Sequence, residues 1–432
     1  MTVTPRRAAS TSRATRTRVR RAGAAGAGRH ATAVRVNRPR HAAEPPPDLG
    51  EIAAPALDSA RRGARRAPAR RAYLGAAFLR CALYLAPLSV AIAAGGSLGQ
   101  VAWPVPLTTL LLGWTAAQAL TCAGVTVARR AGVSAACRLV AAGFGAVAGL
   151  WCALVWIAPA PLLGPHRGLA LVVGLGGLAT LATVTATLVT RAEAAVVRWC
   201  VPCWLLAAAT LAGTAGAPVS GLPIGTLLPA AIVVALVRAF RPAMLPGSRR
   251  RFRLTGPEVR RAGGYLVIGA SQAICVGLIW RAGPSGSTAP FWLPLLLAVP
   301  ILEALIGWNT EAGHDPGARR GVTAVTLAGL LPPLAIGGAL ALAADETAAT
   351  EEVLALAGGT LLGGVFAITY LLAARGRTGI AAAVAIAPPL LTPALKTLAA
   401  GLLPDAVGAL AVTHVAGLLA VALTARDHRR AP

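Results

Sequence analysis

Four side chains could do chemistry inside otherwise apolar stretches of this sequence: Gln118, Gln272, Glu303 and His414. Each falls in a run dominated by Ala, Leu, Val and Gly, of about the 20 residues that cross a bilayer. A polar or ionisable group is so costly in hydrocarbon that it is a functional candidate by default. Glu303 could carry a proton or a cationic substrate. Its structural alternative is to hydrogen-bond Asn309, Gln118 or Trp114. His414 could belong to a proton relay, because imidazole titrates near pH ~6.5. A lone histidine on an apolar helix is more often a satisfied packing residue. Together with Gln118 and Gln272, these two are expected to line a polar cavity and to form a substrate or proton pathway. Lys396 lies toward the outer end of another run and is expected to snorkel to the surface. It differs in depth from Glu303 by about ten residues, roughly 15 Å of helix, so no direct ion pair is expected.

Several short motifs suggest other chemistry. Trp199-Cys200-Val201-Pro202-Cys203 matches the thioredoxin redox string. That chemistry needs a strand-to-helix turn in a βαβ unit, and here the string opens an apolar run. Gly283-Pro284-Ser285-Gly286 matches the rhomboid protease serine motif but sits between runs, where a turn is expected. Glu311 and Asp315, with His314 between them and Arg319 and Arg320 after, faintly resemble the acidic loops of membrane prenyltransferases. Such loops hold Mg²⁺ through clustered carboxylates. The loop from Ala128 to Arg138, which would be the partner, carries no acid. The loop after the second run also lacks the acidic residue of the major facilitator signature. No catalytic residue, metal site or cofactor is assigned from the sequence.

The elements that position these groups follow from composition. Of 432 residues, 56% are hydrophobic and 13% are charged, with a mean hydropathy of +0.66. A soluble domain is about 25% charged, so a soluble enzyme is excluded and a polytopic helical membrane protein is expected. Twelve apolar runs are read, near 77–97, 104–128, 139–160, 168–190, 199–215, 220–240, 262–280, 290–308, 321–343, 353–374, 378–400 and 405–425. Pro202 interrupts the fifth, and Pro388, Pro389 and Pro393 are expected to break the eleventh. Gly145-x-x-x-Gly149 and Gly359-x-x-x-Gly363 are spaced for close helix contact. Seven cysteines are scattered through the runs and do not read as a disulfide framework.

The net charge is +26. Its distribution argues against nucleic acid as a partner. Seventeen arginines precede residue 72, and most others fall in alternate connections between runs. Arg129, Arg130 and Arg138, then Arg191 and Arg198, then the cluster from Arg238 to Arg261 share one side; Arg167 and Arg281 fall on the other. That is the positive-inside pattern. It places both termini in the cytoplasm and the chain in the inner (plasma) membrane. The preference for Arg over Lys fits a high-GC genome. Residues 1–71 are rich in Arg, Ala, Pro and Thr without apolar periodicity, and read as a disordered cytoplasmic tail. Such a tail could bind anionic lipid head groups.

The connection 241–261 is the longest on the basic side. It divides the chain into six-helix halves at 72–240 and 262–425, with a short tail at 426–432. The halves share weak similarity. Arg70-Arg71-Ala72 and Arg260-Arg261-Ala262 precede their first runs, Trp103-Pro104 and Trp292-x-Pro294 open their second runs, and their fourth runs are Gly-rich. Parallel repeats of this kind are common in secondary transporters.

With twelve spans, a basic central loop and Arg-Arg preceding spans 1 and 7, residues 70–425 resemble polysaccharide-export flippases. These belong to the multidrug/oligosaccharidyl-lipid/polysaccharide exporter superfamily. The resemblance implies alternating access and export of a lipid-linked glycan or amphipathic metabolite, with membrane lipids as surroundings. Two alternatives remain: a membrane-embedded enzyme acting on a lipid or prenyl substrate at the 309–320 loop, and a non-transporting membrane scaffold.

Overall fold

The computed structural model of the chain describes residue 75 and residues 77–214, 222–244, 254–282, 293–314, 322–346, 350–395 and 401–427. Among these residues the protein is all-helical, without strands. Its long helices are α1 (Ala77–Ala93), α2 (Pro104–Ala131), α3 (Val133–Ile157), α4 (Arg167–Thr190), α5 (Glu193–Thr214) and α6 (Ile224–Met244). The second set is α7 (Gly256–Ala282), α8 (Leu293–His314), α9 (Val322–Ala343), α10 (Thr350–Ala374), α11 (Thr378–Leu395) and α12 (Leu402–Asp427). Ten are long and apolar enough to cross a membrane; the apolar stretches in α1 and α8 are shorter. The expected runs are all present, with ends displaced by several residues.

Helix packing repeats with an offset of six. In the first half α2 packs on α4, α3 on α4, α1 on α5, α4 on α6, α5 on α6 and α3 on α6. In the second half the partners are α8 on α10, α9 on α10, α7 on α11, α10 on α12, α11 on α12 and α9 on α12. The turns repeat as well. Between α4 and α5, Arg191 is left-handed (φ 56°) and the Ala192 N–H returns to the Thr187 carbonyl at 3.1 Å. Between α10 and α11, Gly376 is left-handed (φ 79°) and the Arg377 N–H returns to the Leu372 carbonyl at 2.9 Å. Both are Schellman turns, which satisfy otherwise orphaned carbonyls at a helix end. The first half builds this turn with an arginine where glycine is the unstrained choice.

The halves meet chiefly along α2 and α7, which run antiparallel. At one end Arg130 pairs with Glu258 at 2.7 Å. At the other, Arg281 lies 4.2 Å from the Trp103 ring centroid. Between them Gly269 brings the backbones together. A Cβ placed there would lie 3.1 Å from the Thr115 Cα and 2.9 Å from the Gln118 Cγ. Small residues at a helix seam permit this approach in a membrane. Gly363 does the same for α10, where a Cβ would lie 3.0 Å from the Ala298 backbone of α8. The other motif fails: nothing lies within 4 Å of Gly145 or Gly149, so that spacing makes no helix contact here.

Proline does not break the eleventh element. Helix α11 continues through Pro388, Pro389 and Pro393, and the Thr392 hydroxyl donates back to the Pro388 carbonyl at 2.8 Å. Pro202 likewise lies inside α5. Threonines are accommodated by the same device. Thr180, Thr183, Thr185 and Thr187 of α4 each donate to the carbonyl four residues back. This hides a hydroxyl that the bilayer would not solvate.

The two halves differ in how they close. Every residue from Ala357 to Ala373 of α10 is buried, and one continuous core forms around it. The apolar core of the first half is divided into separate clusters. A cavity lies beside α4, lined by residues of these clusters.

Candidate functional site

The cavity has a volume of about 970 Å³ and is walled by α1, α2, α4 and α6, with α7, α8 and α10 completing it. It begins at Gly96, Ser97 and Gln100, between α1 and α2, and at the first turns of α4 and α6. That end is opposite the arginine-rich helix ends. Its walls are mostly Leu, Val, Ala, Ile and Gly. Among the described residues, no Asp, Glu, Lys, Arg or His lines it.

Its floor is polar and crosses the seam between halves. Gln272 of α7 accepts from the Trp114 indole N–H at 3.2 Å and from the Gln118 amide at 3.4 Å, both on α2. Its own amide N–H donates to the Thr369 hydroxyl of α10 at 3.2 Å. Thr369 passes its hydrogen to the Phe366 carbonyl at 2.8 Å. Trp114 and Phe366 form a tilted ring pair with centroids 6.1 Å apart. Networks of this kind fix each member's orientation because a lost partner leaves a buried polar atom unpaired.

Glu303 lies just beyond this floor. It is 2% exposed and pairs with Arg80 of α1, Oε2 to Nε at 3.0 Å. The pair joins the first helix of one half to the second helix of the other. Tyr84, one turn along α1, and Leu302, the neighbour of Glu303, both line the cavity. The partners expected from sequence were Asn309, Gln118 and Trp114. Asn309 instead accepts from the Thr326 hydroxyl at 2.9 Å, and the other two serve Gln272. Arg80 was overlooked because it sits early in an apolar run, where an arginine reads as a boundary. The signal was available: it is the arginine inside the first run, four residues before Tyr84.

His414 lies apart from the cavity lining. It is fully buried in α12, with Nε2 3.0 Å from the Leu330 carbonyl of α9. Pro332 and Pro333 follow that carbonyl and remove two ladder donors from the same stretch of α9. Gly364 of α10 makes room for the ring: a Cβ there would collide with the His414 imidazole. Structure therefore brings Gln118 and Gln272 together, gives Glu303 a cation, and places His414 in the interior of the second half.

Cys200 and Cys203 are buried within the continuous helix α5, which lacks the strand-to-helix turn of redox sites. Among the described residues, no group of three or more His, Cys, Asp or Glu is placed to hold a metal ion. Residues 1–71, Lys396, Gly283–Gly286 and the side chains of Glu311, His314, Asp315, Arg319 and Arg320 lie outside the described residues.

No known protein-family profile matches the chain, and no curated protein matches its sequence. Solved structures of similar helix arrangement exist. One is a eukaryotic MATE transporter: TM-score 0.49, 13% identity, covering 83% of this chain and 96% of that one. Another is a multidrug resistance MATE family transporter of the MOP superfamily in an outward-facing conformation. Its TM-score is 0.45 at 12% identity, over 82% of this chain and 92% of that one. An inward-facing conformation gives a TM-score of 0.45 at 13% identity, over 82% and 96%. Likenesses at this level carry nothing about activity.

Proposed function

We propose that this chain is an integral membrane transporter or flippase that exports a lipid-linked glycan or other amphipathic molecule by alternating access between its two six-helix halves. The observation that carries this reading is the cavity itself. A chamber of about 970 Å³ is at the large end of ligand pockets, which span about 300–1,000 Å³. It is walled by both halves, begins at one end of the bundle, and is followed at the other by an ion pair between the halves. Breaking Arg80–Glu303 and re-forming it would let the halves rock about the α2–α7 seam. Apolar walls suit an acyl or prenyl chain, and the amide floor suits a polar group on it.

Under the positive-inside rule the arginine-rich ends face the cytoplasm of an inner membrane. The chamber then opens outward, with Arg80–Glu303 on its cytoplasmic side. The division at 72–240 and 262–425 defines the two moving bodies. Gln118 and Gln272 contact cargo, and Glu303 controls closure. The arginine-rich tail, residues 1–71, is assigned to anionic head groups of the same membrane.

The test is mass spectrometry of lipid and soluble extracts from a strain lacking the gene, beside its parent. Accumulation of an amphiphile, reversed by the intact gene on a plasmid, is the expected result. Loss of a modified lipid with no accumulated cargo would overturn the transport reading.

A further inference from the structure

We infer that the cavity selects an uncharged cargo head carrying hydrogen-bonding groups, and that Gln118 is the residue that reads it. The inference rests on the cavity being the cargo path. It begins from what the chamber lacks: among the described residues its lining holds no Asp, Glu, Lys, Arg or His, the side chains charged or readily charged near neutral pH. A charged head placed there would surrender its hydration and meet no counter-charge. The nearby charges, Arg80 and Glu303, neutralise each other outside the lining.

On the amide floor, the carbonyl oxygen left open to cargo belongs to one group, Gln118. Gln272 is 2% exposed and is largely committed internally: its oxygen accepts twice and one of its two amide hydrogens goes to Thr369. Gln118 gives one amide hydrogen to Gln272. It lines the chamber with a carbonyl oxygen and a second amide hydrogen in reserve. A hydroxyl or amide on the cargo can satisfy both. Gln272 therefore acts as a positioning residue that holds the Gln118 amide and the Trp114 ring in place. Trp114 and Phe366 lie beside Gln118 on the floor. Their ring faces can pack a sugar, alcohol or amide head while Gln118 hydrogen-bonds its edge. Ring faces also attract cations, so a cationic head is the rival that the test must include.

The experiment uses the full chain in lipid nanodiscs and three brominated amphiphiles of equal chain length. One is a monoacylglycerol, one an alkyl sulfonate and one an alkyl trimethylammonium. Each quenches Trp114 fluorescence on entering the chamber, and the Trp114 signal is isolated by difference from Trp114→Phe. The monoacylglycerol is expected to quench at a concentration at least tenfold lower than either charged probe. Gln118→Leu should remove that preference. Gln118→Glu, nearly the same shape, should transfer it to the trimethylammonium. Equal quenching by all three, a charged probe preferred by the unaltered chain, or an unchanged order in Gln118→Glu would overturn the inference. Selective quenching without cargo accumulation in the deletion strain would overturn transport alone. Accumulation with unselective quenching would overturn this inference alone.

Discussion

Arg80 and Glu303 stand 223 positions apart in the chain and meet at 3.0 Å, one on each half of the molecule. Both side chains are largely removed from solvent, at 16% and 2% exposure. Desolvating two charges offsets much of their attraction, so such a pair is weak evidence for stability. On the proposed transport reading it is a contact made and broken as the halves move. Removing one partner is a different matter, because it takes from the other, desolvated charge its partner at 3.0 Å. Arg80→Ala or Glu303→Ala should each cost about 3–5 kcal/mol, and the double variant should cost less than either. Unfolding midpoints in mixed micelles would measure this; additive losses would show that the two charges do not interact.

The same pair tests alternating access. Cysteines placed at 80 and 303, in a background without the seven native cysteines, can be bridged by a short bifunctional maleimide. Bridging should abolish complementation of the deletion strain. The uncrosslinked double-cysteine chain, lacking the ion pair but free to move, should retain more activity. Full activity after quantitative bridging would separate this contact from the transport cycle.

The second ion pair between the halves, Arg130–Glu258, predicts the opposite magnitude. Arg130 is 53% exposed, and exposed pairs contribute about 0–1 kcal/mol. Arg130→Ala should therefore shift the unfolding midpoint little, and the shift should shrink further in high salt. A loss comparable to that of Glu303→Ala would mean that the arginine-rich end is held closed at Arg130 instead.

Gly269 and Gly145 offer a matched comparison on apolar helices. Alanine at 269 would press on the Thr115 backbone and the Gln118 side chain, forcing α7 from α2 at a cost of about 1–3 kcal/mol. It should also disturb the Gln118–Gln272 contact. Alanine at 145 meets open space and should be neutral or stabilising by up to about 1 kcal/mol through helix propensity. Unfolding midpoints of the two variants check this; similar shifts would remove the seam from the account.

His414 is expected to matter for packing only. His414→Ala removes a fully buried ring and its hydrogen bond to Leu330, a loss of about 2–4 kcal/mol. The pH profile of transport by the surviving protein should stay unchanged. A profile that flattens in His414→Ala would restore the histidine to the proton pathway.

Hydrophobic run length determined that this chain is a bundle of membrane helices, because a continuous apolar run of about 20 residues satisfies its backbone within the segment only as a helix. The packing repeat with an offset of six has a counterpart in the sequence, in Trp103-Pro104 against Trp292-x-Pro294 and in the Gly-rich fourth runs. Local sequence also showed Gln118, Gln272, Glu303 and His414 as costly groups. It could not show which of them meet. Pairing is decided by which helix faces which, and that depends on small residues such as Gly269 and Gly363 that let helices from distant parts of the chain approach. Hence the structure gave Glu303 to Arg80 across 223 positions and confined His414 to the pocket left by Gly364. It also joined Gln118 to Gln272 beneath a chamber that no single run could have revealed, because a cavity belongs to the space between helices.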